Sequence, residues 1–372
     1  MLSSRSKKKG RLKIAYDARM LLHSGIGTQV RNVVRELISR REIELTLIGD
    51  EALIRTEYPG FTGDVIEWNP PIYSIRELIA FPDIREGLIQ FPHYNAAPGR
   101  LNRAIVVVHD LIHLQSDEFA RPQYRLYAKF LLSNIARRAR QIVCVSEYTR
   151  HELISRFPAT ANKSIVIHNG IDHSLFKPQS RMAVRAFRKR HSLPEGYLLC
   201  VGIGKRHKNA DFVVRALAPL WKGGTLKQRL VIAGSGGRLP DYIASEIERS
   251  NTRDFIITLP FLEEAELPLM YGAAGLLIMP SLLEGFGFPV LEAMASGCPV
   301  LSSSAASLPE IGGDACVYFD PGGEGELRER LRECEGAKAR RSMIERGLKR
   351  AKAFSWKKHV DALVKMYRRI ES

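Results

Sequence analysis

Glu284 and Glu292 are the first residues whose surroundings suggest chemistry. They flank Gly285-Phe286-Gly287-Phe288-Pro289 in the stretch Met279 to Gly297. The apolar run Gly275 to Met279 predicts a short buried strand, and Pro280 with the two glycines predicts a loop. Pro289 suits the first helical position, and Gly297 suits the residue just past the helix end. Glu284 then belongs to the loop and Glu292 to the first turns of a short helix, whose side chains lean back toward its start. The unbonded N–H groups and positive dipole end of such a helix suit an anion, such as a phosphate. Loop carboxylate, amides and second carboxylate together could hold a phosphorylated sugar. An ordinary strand-loop-helix would show the same two glutamates eight residues apart.

A cationic loop is the second candidate. After the strand-like run Tyr197–Val201 comes Gly202-Ile203-Gly204-Lys205-Arg206-His207-Lys208-Asn209. Several cations on one short loop repel unless an anion joins them; a solvated charge cluster is the plainer reading. Near the N-terminus, residues 12–17 read as a strand, Gly25-Ile26-Gly27 as a turn, and Thr28 to Arg40 as a helix. That order suits phosphate approach, although the spacing is not the dinucleotide fingerprint. His109-Asp110 follows Ile105–Val108, a continuously apolar run as a central parallel strand should be. Open α/β sheets place ligands at that end of a strand.

The elements that must position these residues alternate. Strand-like runs fall at Ile43–Gly49, Leu88–Phe91, Ala104–His109 and Ile142–Ser146, with helical patterns between several of them. A second series follows at Tyr197–Gly202, Leu230–Gly234, Phe255–Leu259, Gly275–Met279, Val300–Ser303 and Cys316–Phe319. Alternation of this kind predicts parallel sheets covered by helices. Two series of similar length predict two Rossmann-like domains with a cleft between them. The expected division is 1–172 for the first domain, 173–195 for a polar and basic connection, 196–353 for the second domain, and 354–372 for a closing segment.

The run Glu284 to Val300 resembles the donor-site signature of glycosyltransferase family 4, retaining enzymes of GT-B fold. The resemblance continues through Phe261–Leu267, Ser307-Leu308-Pro309-Glu310, Gly313-Asp314-Ala315 and Asp320-Pro321. Weaker matches cover most of the chain, including Asp17-Ala18-Arg19, Gly25-Ile26-Gly27, His109-Asp110-Leu111-Ile112-His113 and Ile165–Asp172. The chain departs from the pattern at Thr28-Gln29, where Arg-Tyr is frequent, at His168, often Pro, and at His207, often Arg. The last departure implies a weaker or pH-sensitive clamp.

The resemblance implies catalytic roles for His109, Glu284, Lys208 and Arg206, and donor or nucleotide contacts for Gly25, Gly27, Gly285, Phe286, Gly287, Phe288 and Glu292. His109 would orient the donor sugar, Glu284 its hydroxyls, and Glu292 the ribose. Lys208, with Arg206 second, would meet the diphosphate; His113 is read as structural. It implies a retaining hexosyltransferase with a front-face mechanism. The donor expectation is GDP-linked, mannose-type, as in bacterial mannosyl- and rhamnosyltransferases of polysaccharide assembly, with a saccharide or lipid-linked acceptor. A UDP-sugar enzyme of the same fold is the alternative. A non-catalytic sugar-nucleotide or polyanion-binding protein and a sugar-nucleotide epimerase are the others.

At 372 residues the chain is long for one domain, and its net charge is +16. A solvated basic surface or attraction to anionic lipid headgroups would account for that charge; no nucleic-acid motif accompanies it. Pro122 to Arg140 reads either as a core-facing helix with a basic outer side or as an amphipathic helix touching a membrane. With the basic run Arg5–Lys13 it makes an anionic membrane surface an expected partner. The five cysteines are widely spaced and mostly in apolar runs, the pattern of reduced core thiols. No zinc-ligand spacing and no Asp-x-Asp motif occurs, so neither cofactor nor metal is expected. The expected location is cytoplasmic, with peripheral attachment to the inner face of a membrane left open.

Overall fold

A computed structural model describes residues 10–115, 122–234, 236 and 238–372. The basic run Arg5–Lys13 therefore lies outside the described residues as far as Lys9.

The first half holds strands β1 (Leu12–Asp17), β2 (Ile43–Gly49), β3 (Val65–Glu67), β4 (Leu88–Phe91), β5 (Ala104–Val108), β6 (Gln141–Cys144) and β7 (Ser164–Val166). The second holds β8 (Leu198–Val201), β9 (Leu230–Ala233), β10 (Ile256–Thr258), β11 (Leu276–Met279), β12 (Val300–Ser303) and β13 (Val317–Phe319). Among the described residues they form two separate sheets, of order β3-β2-β1-β4-β5-β6-β7 and β10-β9-β8-β11-β12-β13. Every pairing is parallel. The central strands β4, β5, β8 and β11 are buried along their whole length, which is why they are apolar except at Gln90 of β4, whose side chain accepts from Tyr367. The architecture is the GT-B fold, two Rossmann-like α/β units.

In each sheet the order reverses once, between β1 and β4 and between β8 and β11. Loops leaving the carboxyl ends of strands on either side of such a reversal diverge and leave a crevice. Here the loops after β1 and β5 and those after β8 and β11 line one cleft, as the strand order leads one to expect.

The connection expected at 173–195 contains a helix, Arg181–Arg190, that packs on helix Leu267–Ala273 of the second half. Only Phe187 of that helix is buried, and its remaining charged residues hid the helical period. The last helix, Trp356–Glu371, returns to the first half. It packs on helix Ser24–Ile38, and its Tyr367 hydroxyl donates to Gln90 Oε1 at 2.8 Å. No helix among the described residues is long and apolar enough to cross a membrane.

Candidate active site

Two loops of the second half are fastened to each other before any ligand is considered. The loop after β8 closes in a 3₁₀ turn, Arg206–Lys208, and Asn209 adopts a left-handed conformation, φ 56°. The Asn209 amide then donates to the Pro280 and Pro321 carbonyls at 3.2 and 3.0 Å. From the loop after β11, the Leu282 amide donates to the His207 carbonyl at 2.8 Å. Ser307 Oγ donates to the Glu284 carbonyl at 3.0 Å. Between these anchors Lys208 Nζ meets Glu284 Oε1 at 2.6 Å.

Gly287, with φ 101°, turns the chain into helix Phe288–Ala295; a side chain at that φ would be strained. Pro289 occupies the second helical position rather than the first, and Gly297 follows the end with φ 77°. Glu292, a turn into the helix, accepts the Tyr271 hydroxyl at 2.8 Å. Burial, with the Glu264 charge adding to it, raises the Glu292 carboxyl to about 7 despite that hydrogen bond. A carboxyl poised there changes charge near neutral pH.

The first half contributes His109. Its Nε2 lies 2.8 Å from the Pro92 carbonyl, which can only accept, so Nε2 carries the proton. Burial lowers the ring's pKa; neutral, the imidazole keeps a bare Nδ1 as acceptor. His93 stands behind it with ring centroids 6.3 Å apart. His93 Nδ1 is 2.7 Å from Asn95 Oδ1. The halves touch directly here. Ser146 Oγ, at the cap of helix Glu147–Arg156, donates to the Gly285 carbonyl at 2.7 Å. A side chain at Gly285 would collide with the His109 carbonyl. Glu310 of the second half accepts the Glu147 amide at 2.8 Å and the Tyr148 amide at 3.2 Å, and lies 2.5 Å from His168 Nε2.

The cleft so formed has a volume of about 690 Å³. It is lined by Gly25, His109, Lys208, Glu284, Gly285, Phe286, Gly287, Phe288 and Glu292 among the expected residues. Two expected residues lie off it. Arg206 is exposed, its guanidinium 5.2 Å from the centroid of the Tyr242 ring; Lys205 lines the cleft instead. The 3₁₀ turn separates consecutive side chains, which sequence adjacency cannot reveal. Gly27 also lies outside the lining; a side chain there would strike the Leu21 carbonyl oxygen, so close packing accounts for it. The pH-sensitive clamp expected at His207 is corrected as well. Burial first, and the Lys208 charge second, lower that ring to about 4, so it stays neutral near neutrality. The remaining wall includes Asn169 and Leu267, which fall in the resembling stretches Ile165–Asp172 and Phe261–Leu267 with no site role expected of either, and Pro260 and Tyr271, which lie outside them.

Two sequence models match this chain in succession. Glycosyltransferase Family 4 matches residues 23–175, and Glycosyl transferases group 1 matches residues 184–350. The O-antigen chain mannosyltransferase B of Escherichia coli is 27% identical over 298 residues, 80% of this chain and 78% of that protein. The D-inositol 3-phosphate glycosyltransferase of Kineococcus radiotolerans is 30% identical over 259 residues, 62% of this chain but 57% of its own length. Among solved structures, Anabaena HepE in complex with UDP and glucose aligns with TM-score 0.74 at 18% identity, covering 96% of this chain and 99% of that one. These findings correct the expectation of a GDP-linked, mannose-type donor. The HepE complex holds UDP, and the Kineococcus relative is named for transfer involving inositol phosphate. The E. coli relative is named for mannose without a nucleotide. With both halves matched and the two-sheet architecture in place, the chain is a glycosyltransferase of GT-B fold and belongs to glycosyltransferase family 4.

Proposed function

We propose that the protein transfers a sugar from a UDP-linked donor to a saccharide hydroxyl with retention of anomeric configuration. The observation that carries this reading is the convergence of Lys208, Glu284 and Glu292 with His109 of the other half on one cleft. The bound UDP and glucose in the HepE structure favour the uridine nucleotide. The division into domains at 1–172, 173–195, 196–353 and 354–372 is part of the proposal; the family models break between 175 and 184, inside the proposed connection.

In this reading the diphosphate lies against Lys208, Lys205 and the amides that open helix Phe288–Ala295. Stabilising charge that develops on a leaving group is the largest electrostatic contribution such a site makes. Lys208 exchanges part of its contact with Glu284 for phosphate oxygen, and Glu284 turns to the donor-sugar hydroxyls. Glu292 accepts from the ribose hydroxyls, and the bare Nδ1 of His109 accepts from a sugar hydroxyl. The bond from the anomeric carbon to the diphosphate oxygen breaks as the acceptor oxygen arrives on the same face. The acceptor's proton passes to the departing phosphate oxygen.

A thermal-shift panel of UDP, UDP-glucose, GDP and GDP-mannose tests the nucleotide, because a ligand at 100 times its Kd stabilises by about 2.7 kcal/mol. UDP and its sugar should raise Tm and GDP should not; the reverse ranking defeats the uridine assignment. Turnover of a labelled UDP-sugar, with and without acceptor, separates transfer from mere binding. NMR of the product's anomeric proton tests retention.

A further inference from the structure

The large apolar side chains that the fold leaves exposed are not scattered. Among the described residues, six of ten lie on two neighbouring stretches of the first half: Tyr73, Ile75 and Ile79, and Tyr124, Leu126 and Phe130. The Tyr73 and Tyr124 rings, 5.8 Å apart, join them. A gathered apolar surface of this kind marks a binding face more often than isolated exposed residues do.

Helix Ile75–Ile79 is packed inside out. Ile75 and Ile79 are 71% and 77% exposed, while Glu77 is wholly buried. The Glu77 carboxylate accepts from Arg19 at 3.0 Å, Asn95 at 3.0 Å, the Tyr127 hydroxyl at 2.6 Å and the Tyr73 amide at 2.8 Å. A helix held by a hydrophobic core turns its isoleucines inward; this one is held by its carboxylate, which frees the isoleucines to face outward. Beside it, helix Pro122–Arg138 buries Ala128, Leu131, Leu132 and Ile135. Its outer side carries Leu126, Lys129, Phe130 and Arg137, all exposed.

Charge selects the occupant. Residues 122–140 contain five Arg or Lys and no Asp or Glu, and Arg76 is exposed while its neighbour Glu77 is not. Among the described residues, Asp83 pairs with Arg100 at 3.1 Å and Glu86 with Lys13. We propose that this surface seats the protein on an anionic lipid bilayer. Isoleucine, leucine and phenylalanine enter the boundary between headgroups and acyl chains, tyrosines lie at the headgroup level, and the cations meet lipid phosphates. A second copy related by a two-fold axis would set like charges against each other. Asn95, bound to Glu77, also contacts His93, whose ring stands 6.3 Å from that of His109 at the cleft.

Co-sedimentation of the full chain with phosphatidylcholine vesicles, and with the same vesicles carrying phosphatidylglycerol, tests this. Recovery should need the anionic lipid and fall at high salt, as surface charge is screened. Ile75→Ser/Ile79→Ser and Leu126→Ser/Phe130→Ser should each lower the partition coefficient about tenfold or more. Both should leave Tm and turnover on a water-soluble acceptor unchanged. Met182→Ser, an exposed residue of the connection helix, should bind as the parent does. Equal recovery with neutral vesicles, no recovery with either, or undiminished binding by both double variants overturns the proposal. So does a dimer in analytical ultracentrifugation that these substitutions dissolve.

Discussion

Arg19 and Lys208 occupy corresponding places in the two halves and are used in opposite ways. Each follows the first strand of its sheet, β1 or β8, beside the point where strand order reverses, and each is paired to carboxylate. Arg19 contacts Asp17 at 2.7 Å and Glu77 at 3.0 Å, with the three side chains 1%, 4% and 0% exposed. Its guanidinium also lies 4.4 Å from the Trp68 ring centroid. Among the described residues Lys208 is paired with one carboxylate, Glu284, at 2.6 Å, and the pair is 20% and 11% exposed. The lesson lies in the contacts around each cation. Arg19 has its donors committed in a sealed cluster and serves the fold. Lys208 gives one contact to a carboxylate facing the cleft, so an entering anion can take it over.

The largest effect should come from breaking the sealed cluster. Arg19→Met leaves Asp17 and Glu77 buried without their cation, a loss of about 3–5 kcal/mol by analogy with other buried pairs. Urea unfolding measures it. A loss below about 1 kcal/mol would show that the cluster is not what holds helix Ile75–Ile79 in place.

The corresponding change in the second half should fall mainly on turnover. Lys208→Ala leaves a largely buried Glu284 that can still take water from the cleft, so it should cost less stability than Arg19→Met, yet lower kcat/KM by about 2–4 kcal/mol of transition-state stabilisation. Unchanged kcat/KM in the folded variant would remove Lys208 from the diphosphate site, and the contrast with Arg19 would collapse.

The same contrast explains what the sequence made legible. Most strands of both sheets could be read because parallel strands buried on both faces are mainly apolar; β5, β8 and β11 are apolar at every position. The exceptions were the short edge strands β3, Val65–Glu67, and β7, Ser164–Val166, the latter suggested only by the family resemblance, and helix Arg181–Arg190, whose charged residues concealed its one buried face. The Glu284–Glu292 loop could be read because glycine and proline mark its turns. Its catalytic meaning came from the family resemblance, since spacing alone did not supply it. The Glu77 cluster could not be read. Its members, residues 17, 19, 73, 77, 95 and 127, come from separate elements, and only the fold brings them together. Arg206 shows a local limit: four consecutive polar residues on a loop do not reveal which side chains a 3₁₀ turn sends into the cleft.

A smaller effect should appear at Glu292. Its folded-state pKa, about 7, lies above the ordinary glutamate value of 4.5. The native form therefore keeps a proton that the unfolded chain releases. The resulting stability is complete below about pH 4.5 and is lost as the pH rises through about 7. Glu292→Gln should consequently stabilise the ligand-free protein by about 1–2 kcal/mol above neutrality and flatten the pH dependence, while weakening UDP binding. Glu284→Gln should retain UDP binding and lose turnover. Thermal unfolding across pH and calorimetric titration with UDP read these outcomes; loss of UDP binding by the Glu284 variant alone would reverse the two assignments.

The smallest effect distinguishes neighbours. Lys205 lines the cleft, whereas Arg206 packs over Tyr242, whose hydroxyl donates to the Ile203 carbonyl at 2.8 Å. Arg206 thus braces the loop from outside, through a cation–ring contact of about 0.5–1 kcal/mol. Arg206→Ala should lower stability by about that amount and leave kcat/KM within about twofold. Lys205→Ala should leave Tm unchanged and raise the donor KM several-fold, because an exposed cation beside the diphosphate adds mainly attraction for the bound donor. Measured together, the two variants ask whether placement in the cleft or position in the cationic run decides function. If Arg206→Ala is the one that raises KM, the loop must turn its side chains differently when donor binds, and Arg206 returns to the site where the family resemblance first placed it.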